Sequence, residues 1–548
     1  MGTEILNFYH EKLKKSWKTA FFSAFLLGLL IHIYKFTNLL PNADALYNFY
    51  SSQNMTASGR WFLSIACGFS SYFDLPWVNG MLSLVFMGLA AAMVAEVFRM
   101  ENPVLIVLSC GLLVSFPAIT ATMSYEFTAD GYMLAMALSA LSVCLSRMEY
   151  LGRKHWPKLL LSGVCICLSC GIYQAYVSFA FVLAVCYFIT ELLENRREEK
   201  KYRNWILVQV LIYGCALVVY YLIWKLCLAV QGFTASSYQG IDRVGVMGAG
   251  DLVSSLMKIA GDFIKFFLEW NILDHGVTVY SVLNLLFLLA FASGLLMAVW
   301  KSGAAKRKIH LLLLLLCVAA LPVGCFVWYL TSPDVVYHAL MLQSVCLLYI
   351  LTAVLFDRWI CPRGGNVCGK IVLGVLIAIV MNNSVTANMY YNLMQQSFEV
   401  TKSAAAELST RIHLLDDGKV KYVAIYGSLG GYSQEDHFQD DRLRQLGGWK
   451  VINRTILSPM FLSLYTDFDL SYYRTNDLDY PIVENDPDIP APQDWEFRFP
   501  LLDKAGRDVL ARTEQVQNMP IWPARDSVAV IGDTVVVKLS QIEASVPQ

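Results

Sequence analysis

The chain is built around a series of apolar runs too long for any water-soluble core. A helix needs about 20 residues to cross the hydrocarbon layer of a bilayer. Runs of that order lie at roughly 18–38, 77–98, 103–121, 130–147, 158–171, 175–193, 204–230, 278–300, 309–330, 337–356 and 369–390. The fifth, at 14 residues, reads as a tilted, re-entrant or longer span. Such a chain is expected to be a polytopic α-helical membrane protein of about 11 transmembrane helices. Composition agrees: 56% of residues are hydrophobic and only 16% charged, against about 25% in a soluble domain. Disordered, collagenous and disulfide-scaffold folds are thereby excluded, and no nucleic-acid partner is expected. The lysines ahead of the first span and the absence of a small-residue cleavage site argue against a cleavable signal.

Charge sets an orientation. Lys and Arg collect before the first span and after the second, fourth, sixth, eighth and tenth, as in Arg147/Arg153/Lys154, Arg196/Arg197/Lys200/Lys201/Arg203 and Lys306/Arg307/Lys308. By the positive-inside rule these loops and the N-terminus are cytoplasmic, in a plasma membrane. The odd loops, at 39–76 and 231–277 the largest, then face outward together with residues 391–548. That last stretch is acidic, with 23 Asp/Glu against 15 Lys/Arg, whereas residues 1–390 hold 20 against 27. Residues 391–415 read as helix, 421–427 as a strand, and 526–539 as a hairpin turning at Gly532-Asp533, which predicts a small extracytoplasmic α+β domain. In the second large loop, Leu252, Leu256, Ile259, Phe263 and Phe267 repeat at helical spacing, as in a helix lying in the interface.

Ionisable residues near membrane spans are the first places to look for function. Asp44 follows the first span, and Glu126 and Asp130 lie between the third and fourth. His32 and Lys35, three apart, share a helix face; Arg60 sits in SGRW, Lys225 near the end of the seventh span, and His338 at the start of the tenth. Cations of this kind would hold a phosphate, and a carboxylate would take the proton of an attacking hydroxyl. Each also has a plain structural reading. Asp44 and Asp130 suit helix caps, Glu126 and Asp130 suit ion pairs with Arg60, Lys35 and Lys225 suit snorkelling, and the histidines suit buried hydrogen bonds.

Other signals are weak. The triplets Asp467/Asp469, Asp477/Asp479 and Asp486/Asp488 read as acidic turns, because nucleotide sugars are not available outside a cell. GSLGGY at 427–432 lacks a phosphate-loop continuation, and Cys361 with Cys368 lacks further zinc ligands. No metal site is expected and a divalent ion is not indicated.

Four stretches together resemble the GtrII-type bacterial membrane glucosyltransferases, a GT-C-like family: NADALYNFYSSQNMTASGRWFL (42–63), SYEFTADGYMLAMALSALSV (124–143), GIYQAYVSFA (171–180) and MPIWPARDSVAVIGDTVVVKLS (519–540). The resemblance implies a polyprenyl-phosphate-linked hexose as donor and a hydroxyl of a surface polysaccharide or other glycan as acceptor. It also points to Asp44 as general base, with Glu126 or Asp130 as the other carboxylates. Arg60 with Lys35, Lys225, His32 or His338 would bind the donor phosphate, and Tyr173 and Gln174 would bind substrate. Relatives carry an acidic pair or cluster in the first loop, where this chain has only Asp44, beside Asn42 and Ala43. Competing functions are an O-acyltransferase, a repeat-unit polymerase and a flippase or transporter. The outward-facing histidines oppose the first, and the absence of repeated halves opposes the last.

Overall fold

The computed structural model describes residues 13–48, 51–68, 70, 73–195, 197–237, 240–241, 248–268, 278–332, 335–361, 367–415, 420–427, 429, 465–466, 502 and 504–542. The chain divides into two compact units. One comprises Met1–Leu39, Phe49–Tyr390 and Asp441–Gly448, and the other Leu40–Asn48, Tyr391–Asp440 and Trp449–Gln548. Leu40–Asn48, expected in the first large loop of the membrane module, thus groups with the second unit.

The longer helices of the first unit are α1 (Lys15–Thr37), α2 (Pro76–Val97), α3 (Pro103–Val114), α4 (Pro117–Ser124), α5 (Ala129–Leu145), α6 (Trp156–Ile172) and α7 (Tyr176–Glu194). They continue with α8 (Glu199–Gln231), α9 (Ala249–Leu268), α10 (Val279–Ser302), α11 (Lys308–Cys325), α12 (Cys346–Leu355) and α13 (Val367–Leu415), the last running on into the second unit. Among the described residues nine helical stretches are long and apolar enough to cross a membrane, with α12 extended to Gln343–Ile360. The protein is a multispan helical membrane protein. Each predicted run coincides with one of these nine, with the bent pair α3–α4, or with α6. At 17 residues, α6 measures about 26 Å, a little under the roughly 30 Å hydrocarbon layer.

Local chemistry explains the main departures from straight rods. The 47° bend between α3 and α4 falls at Pro117, whose ring keeps Phe116 extended at φ −60°, ψ 138° and whose missing N–H ends the helical ladder. Neighbours pack through small residues, as is usual between membrane helices. A methyl group on Gly80 or Gly88 of α2 would collide with Phe36 or Phe21 of α1. Between α5 and α6 the contact is hydroxylic, with Ser139 and Ser169 Oγ 2.9 Å apart and Ser142 and Ser162 Oγ 3.1 Å apart.

One end of the first unit is tied by ions. Glu96 at the end of α2 binds Lys14 at 2.7 Å and Arg147, just past α5, at 2.8 Å. Arg99 binds Glu191 at 2.7 Å and Glu194 at 3.3 Å, Arg197 binds Glu191 at 2.6 Å, and Arg358 binds Glu194 at 3.2 Å. Glu149 joins the two groups, 2.8 Å from Arg147 and 3.7 Å from Arg99, so residues from the basic segments around spans one, two, four, six and ten meet in a single network.

In the second unit, strands β1 (Tyr422–Tyr426), β2 (Val528–Ile531) and β3 (Thr534–Lys538) form a sheet ordered β1-β3-β2. β1 runs parallel to β3, and β2 pairs antiparallel with it through the turn at Gly532, where φ is +64°. Phe398, Ala405, Leu408 and Ile412 of α13 cover Val423, Val535 and Val537 on one face. On the other face the buried Lys538 donates to the carbonyls of Val516, Gln517 and Met519 at 3.0, 2.7 and 2.9 Å. The DxD triplets lie outside the described residues.

Candidate functional site

The most elaborated polar feature of the first unit is the turn 55–60. Met55 and Arg60 close it as an isolated bridge, and Gly59 carries it through the left-handed region at φ +83°. Its four central carbonyls, 56 to 59, are all held by donors distant in sequence. Trp224 Nε1 donates to Thr56 O at 2.8 Å and the Ser236 amide to Ala57 O at 3.0 Å. Gln174 Nε2 donates to Ser58 O at 2.9 Å, and the Tyr220 hydroxyl to Gly59 O at 3.0 Å. Gln174 also donates to the Tyr220 hydroxyl at 3.0 Å. A side chain on Gly59 would strike both Gln174 and Tyr220, so glycine is required there by space as well as by φ.

This turn presents Arg60. Its Nη1 donates to the Tyr132 hydroxyl at 3.1 Å, and its guanidinium lies 4.5 Å from the centroid of the Tyr173 ring. Tyr132 and Tyr173 are themselves stacked, 4.8 Å between centroids. A cation set over an aromatic face and bonded to a phenol is fixed in direction before any ligand arrives. Arg60 remains only half-buried, so the fork stays reachable. Just beyond it, the Phe62 amide donates to Gly171 O at 2.8 Å, which ties the segment to the end of α6.

The carboxylates expected between spans three and four have fixed partners. Glu126 Oε2 binds Lys35 Nζ at 2.6 Å, with 3% and 2% of the two side chains exposed. The pairing is therefore with Lys35 and not with Arg60, and Lys35 does not snorkel. Asp130 lies in the first turn of α5, 1% exposed, and accepts from Ser70 Oγ at 2.6 Å. Burial together with the Asp130 carboxylate pushes the neighbouring Cys67 thiol well above its usual range, which makes it a poor nucleophile. His32 is buried, its Nε2 2.9 Å from Val114 O.

The remaining candidates are more open. Lys225 is exposed, 5.1 Å from the centroid of the Trp224 ring. His338 is half-buried ahead of the short turn Ala339–Met341. In the second unit Asp44 is half-buried at the start of the short helix Ala45–Asn48. Just before it, Asn42 Oδ1 accepts from the Ala45 amide at 2.8 Å. Among the described residues no three His, Cys, Asp or Glu gather as metal ligands.

Tyr173 and Gln174, expected on substrate, are here partners of the Arg60 turn. Tyr132, Tyr220 and Trp224 are absent from the sequence expectation. Tyr220 and Trp224 carry a signal in hindsight: polar-tipped aromatics four apart, on one face of an otherwise apolar run.

The model of the family described as Glucosyl transferase GtrII matches residues 33–356, a stretch that includes every first-unit residue of this site except His32. No curated protein and no solved structure matches the chain.

Proposed function

Because the chain belongs to the GtrII glucosyltransferase family, we propose that it moves a hexose, glucose in the first instance, from a polyprenyl-phosphate donor to a hydroxyl of a surface polysaccharide. Asp44 takes the proton of the acceptor hydroxyl as its oxygen forms a bond to the anomeric carbon. The bond from that carbon to the phosphate oxygen breaks in the same displacement, with inversion, and Arg60 receives the departing phosphate charge. The reaction takes place on the outer face of a bacterial plasma membrane, with the N-terminus inside and residues 391–548 outside. The basic segments that meet in one ionic network support that sidedness.

The observation that carries the reading is the mounting of Arg60 by Tyr132 and Tyr173 on a turn with every central carbonyl held. A preorganised guanidinium fork suits two phosphate oxygens, whereas a mobile point charge does not. The choice of base rests on accessibility. Glu126 and Asp130 are buried against Lys35 and Ser70, while Asp44 is half-exposed. Lys225, exposed on an aromatic shelf, is a second cation for the lipid phosphate, and His338 a reserve donor. Purified protein given polyprenyl-phosphate glucose and a polysaccharide acceptor should release polyprenyl phosphate. Transfer from UDP-glucose and none from the lipid donor would overturn the proposal.

A further inference from the structure

The apolar cluster of Ile166, Cys167 and Cys170 on α6, Val177 on α7, and Ile212 and Ala216 on α8 is bordered by Trp61, Tyr213 and Trp328. The hydrogen-bonding atoms of these three rings, Trp61 Nε1, Tyr213 Oη and Trp328 Nε1, are buried and have no hydrogen-bond partner among the described residues. They come from three elements: the residue after Arg60, the middle of α8, and the turn Val327–Leu330 that follows α11. Phe181 lies between Tyr213 and the end of α11. Its ring lies 6.4 Å from that of Tyr213, and it packs so tightly on Gly324, four residues before Trp328, that a methyl group there would collide with it. Toward their basic ends α8 and α11 are closed together by Tyr202, whose ring meets His310 edge-on at 5.2 Å.

More than nine in ten buried polar groups in folded proteins are paired, so three unpaired donors on one cluster need an explanation. Within a bilayer, water is not there to supply the missing acceptors. Two indole N–H groups and a phenol, with no ionised side chain in the cluster, suit an acceptor oxygen carried on an apolar chain. They do not suit a cation or a heavily hydrated sugar. Trp61 adjoins Arg60, the residue proposed to hold the donor phosphate.

We infer that Trp61, Tyr213 and Trp328 form the lipid side of the donor site. They offer hydrogen bonds to the oxygens at the junction of phosphate and isoprenoid, while the isoprenoid lies along these rings between α8 and α11. This rests on the lipid-phosphate reading above and adds the seat of its tail.

The test uses the full chain in detergent micelles with Tyr213→Phe, which removes only the donor, and with Trp61→Phe and Trp328→Phe, which remove the donor and part of the ring. Binding of undecaprenyl phosphate, inorganic phosphate and phosphatidylglycerol is measured beside Arg60→Ala. Each phenylalanine variant should bind undecaprenyl phosphate about 5- to 10-fold more weakly with inorganic phosphate unaffected. The Tm of Tyr213→Phe should stay or rise, because an unsatisfied donor has been removed, whereas the two tryptophan variants lose some packing. Arg60→Ala should weaken both phosphates. Normal undecaprenyl-phosphate binding by all three variants beside a weakened Arg60→Ala overturns the inference and leaves the donor class standing. Normal binding by Arg60→Ala as well removes the lipid-phosphate reading itself. A lowered Tm with unchanged affinity assigns the rings to packing, and equal weakening toward phosphatidylglycerol assigns them to bulk lipid.

Discussion

Lys35 and Glu126, ninety-one residues apart, form a buried ion pair at 2.6 Å in which Asn79 also holds the Glu126 carbonyl at 3.1 Å. A buried charge that loses its partner is far costlier than a pair replaced together by apolar groups. Lys35→Met and Glu126→Leu should each destabilise the protein by about 3–5 kcal/mol, and the double variant should regain most of that. Thermal unfolding in detergent measures it. Glu126→Gln with an unchanged Tm and no transfer would instead make Glu126 the base.

Gly59→Ala is expected to be more damaging than its size suggests. Alanine at φ +83° is strained by about 1–2 kcal/mol, and its methyl group meets Gln174 and Tyr220. Donor binding should fall about as far as in Arg60→Ala while the ionic end of the unit keeps its protection from hydrogen exchange. Full donor affinity in Gly59→Ala would show that the turn does not set the direction of Arg60.

Asp44→Asn should cut transfer by about 100-fold or more with donor binding and Tm preserved. Asp130→Asn, by contrast, weakens only the hold on Ser70, so it should lower Tm and leave turnover within a few-fold. Single-turnover rates on the two variants separate these roles. A reversed pattern would move the base to the start of α5.

Single cysteines tested with a membrane-impermeant thiol reagent report sidedness. In a background without the native cysteines, positions 44 and 533 should react from outside and position 200 only after permeabilisation. Labelling of position 533 from the cytoplasm alone would put the proposed reaction on the wrong side of the membrane.

The helices were legible because apolar length is a local property, and so was the hairpin, where Gly532-Asp533 divides two runs of Val and Ile. Arg60 stood out because a lone cation between apolar stretches is conspicuous. What surrounds it did not. The donors to carbonyls 56–59 lie 116 to 179 positions along the chain, and a tyrosine on an apolar helix looks the same whether it faces lipid or a backbone oxygen. Lys35 was open to a snorkelling reading for the same reason, since only the fold brings Glu126 to it. The grouping of Leu40–Asn48 with the second unit also has no local signature.

The ionic network gives one set of residues two tasks at different times. Lys and Arg near span ends orient helices during insertion, and acidic residues contribute little to that step. Before the helices assemble, Lys14, Arg99, Arg147, Arg197 and Arg358 can act as bare charges. Once they assemble, the same side chains are taken up by Glu96, Glu191 and Glu194. Glu96→Gln should therefore leave every span correctly inserted and yet yield a protein that extracts poorly and melts early, a defect of assembly and not of targeting.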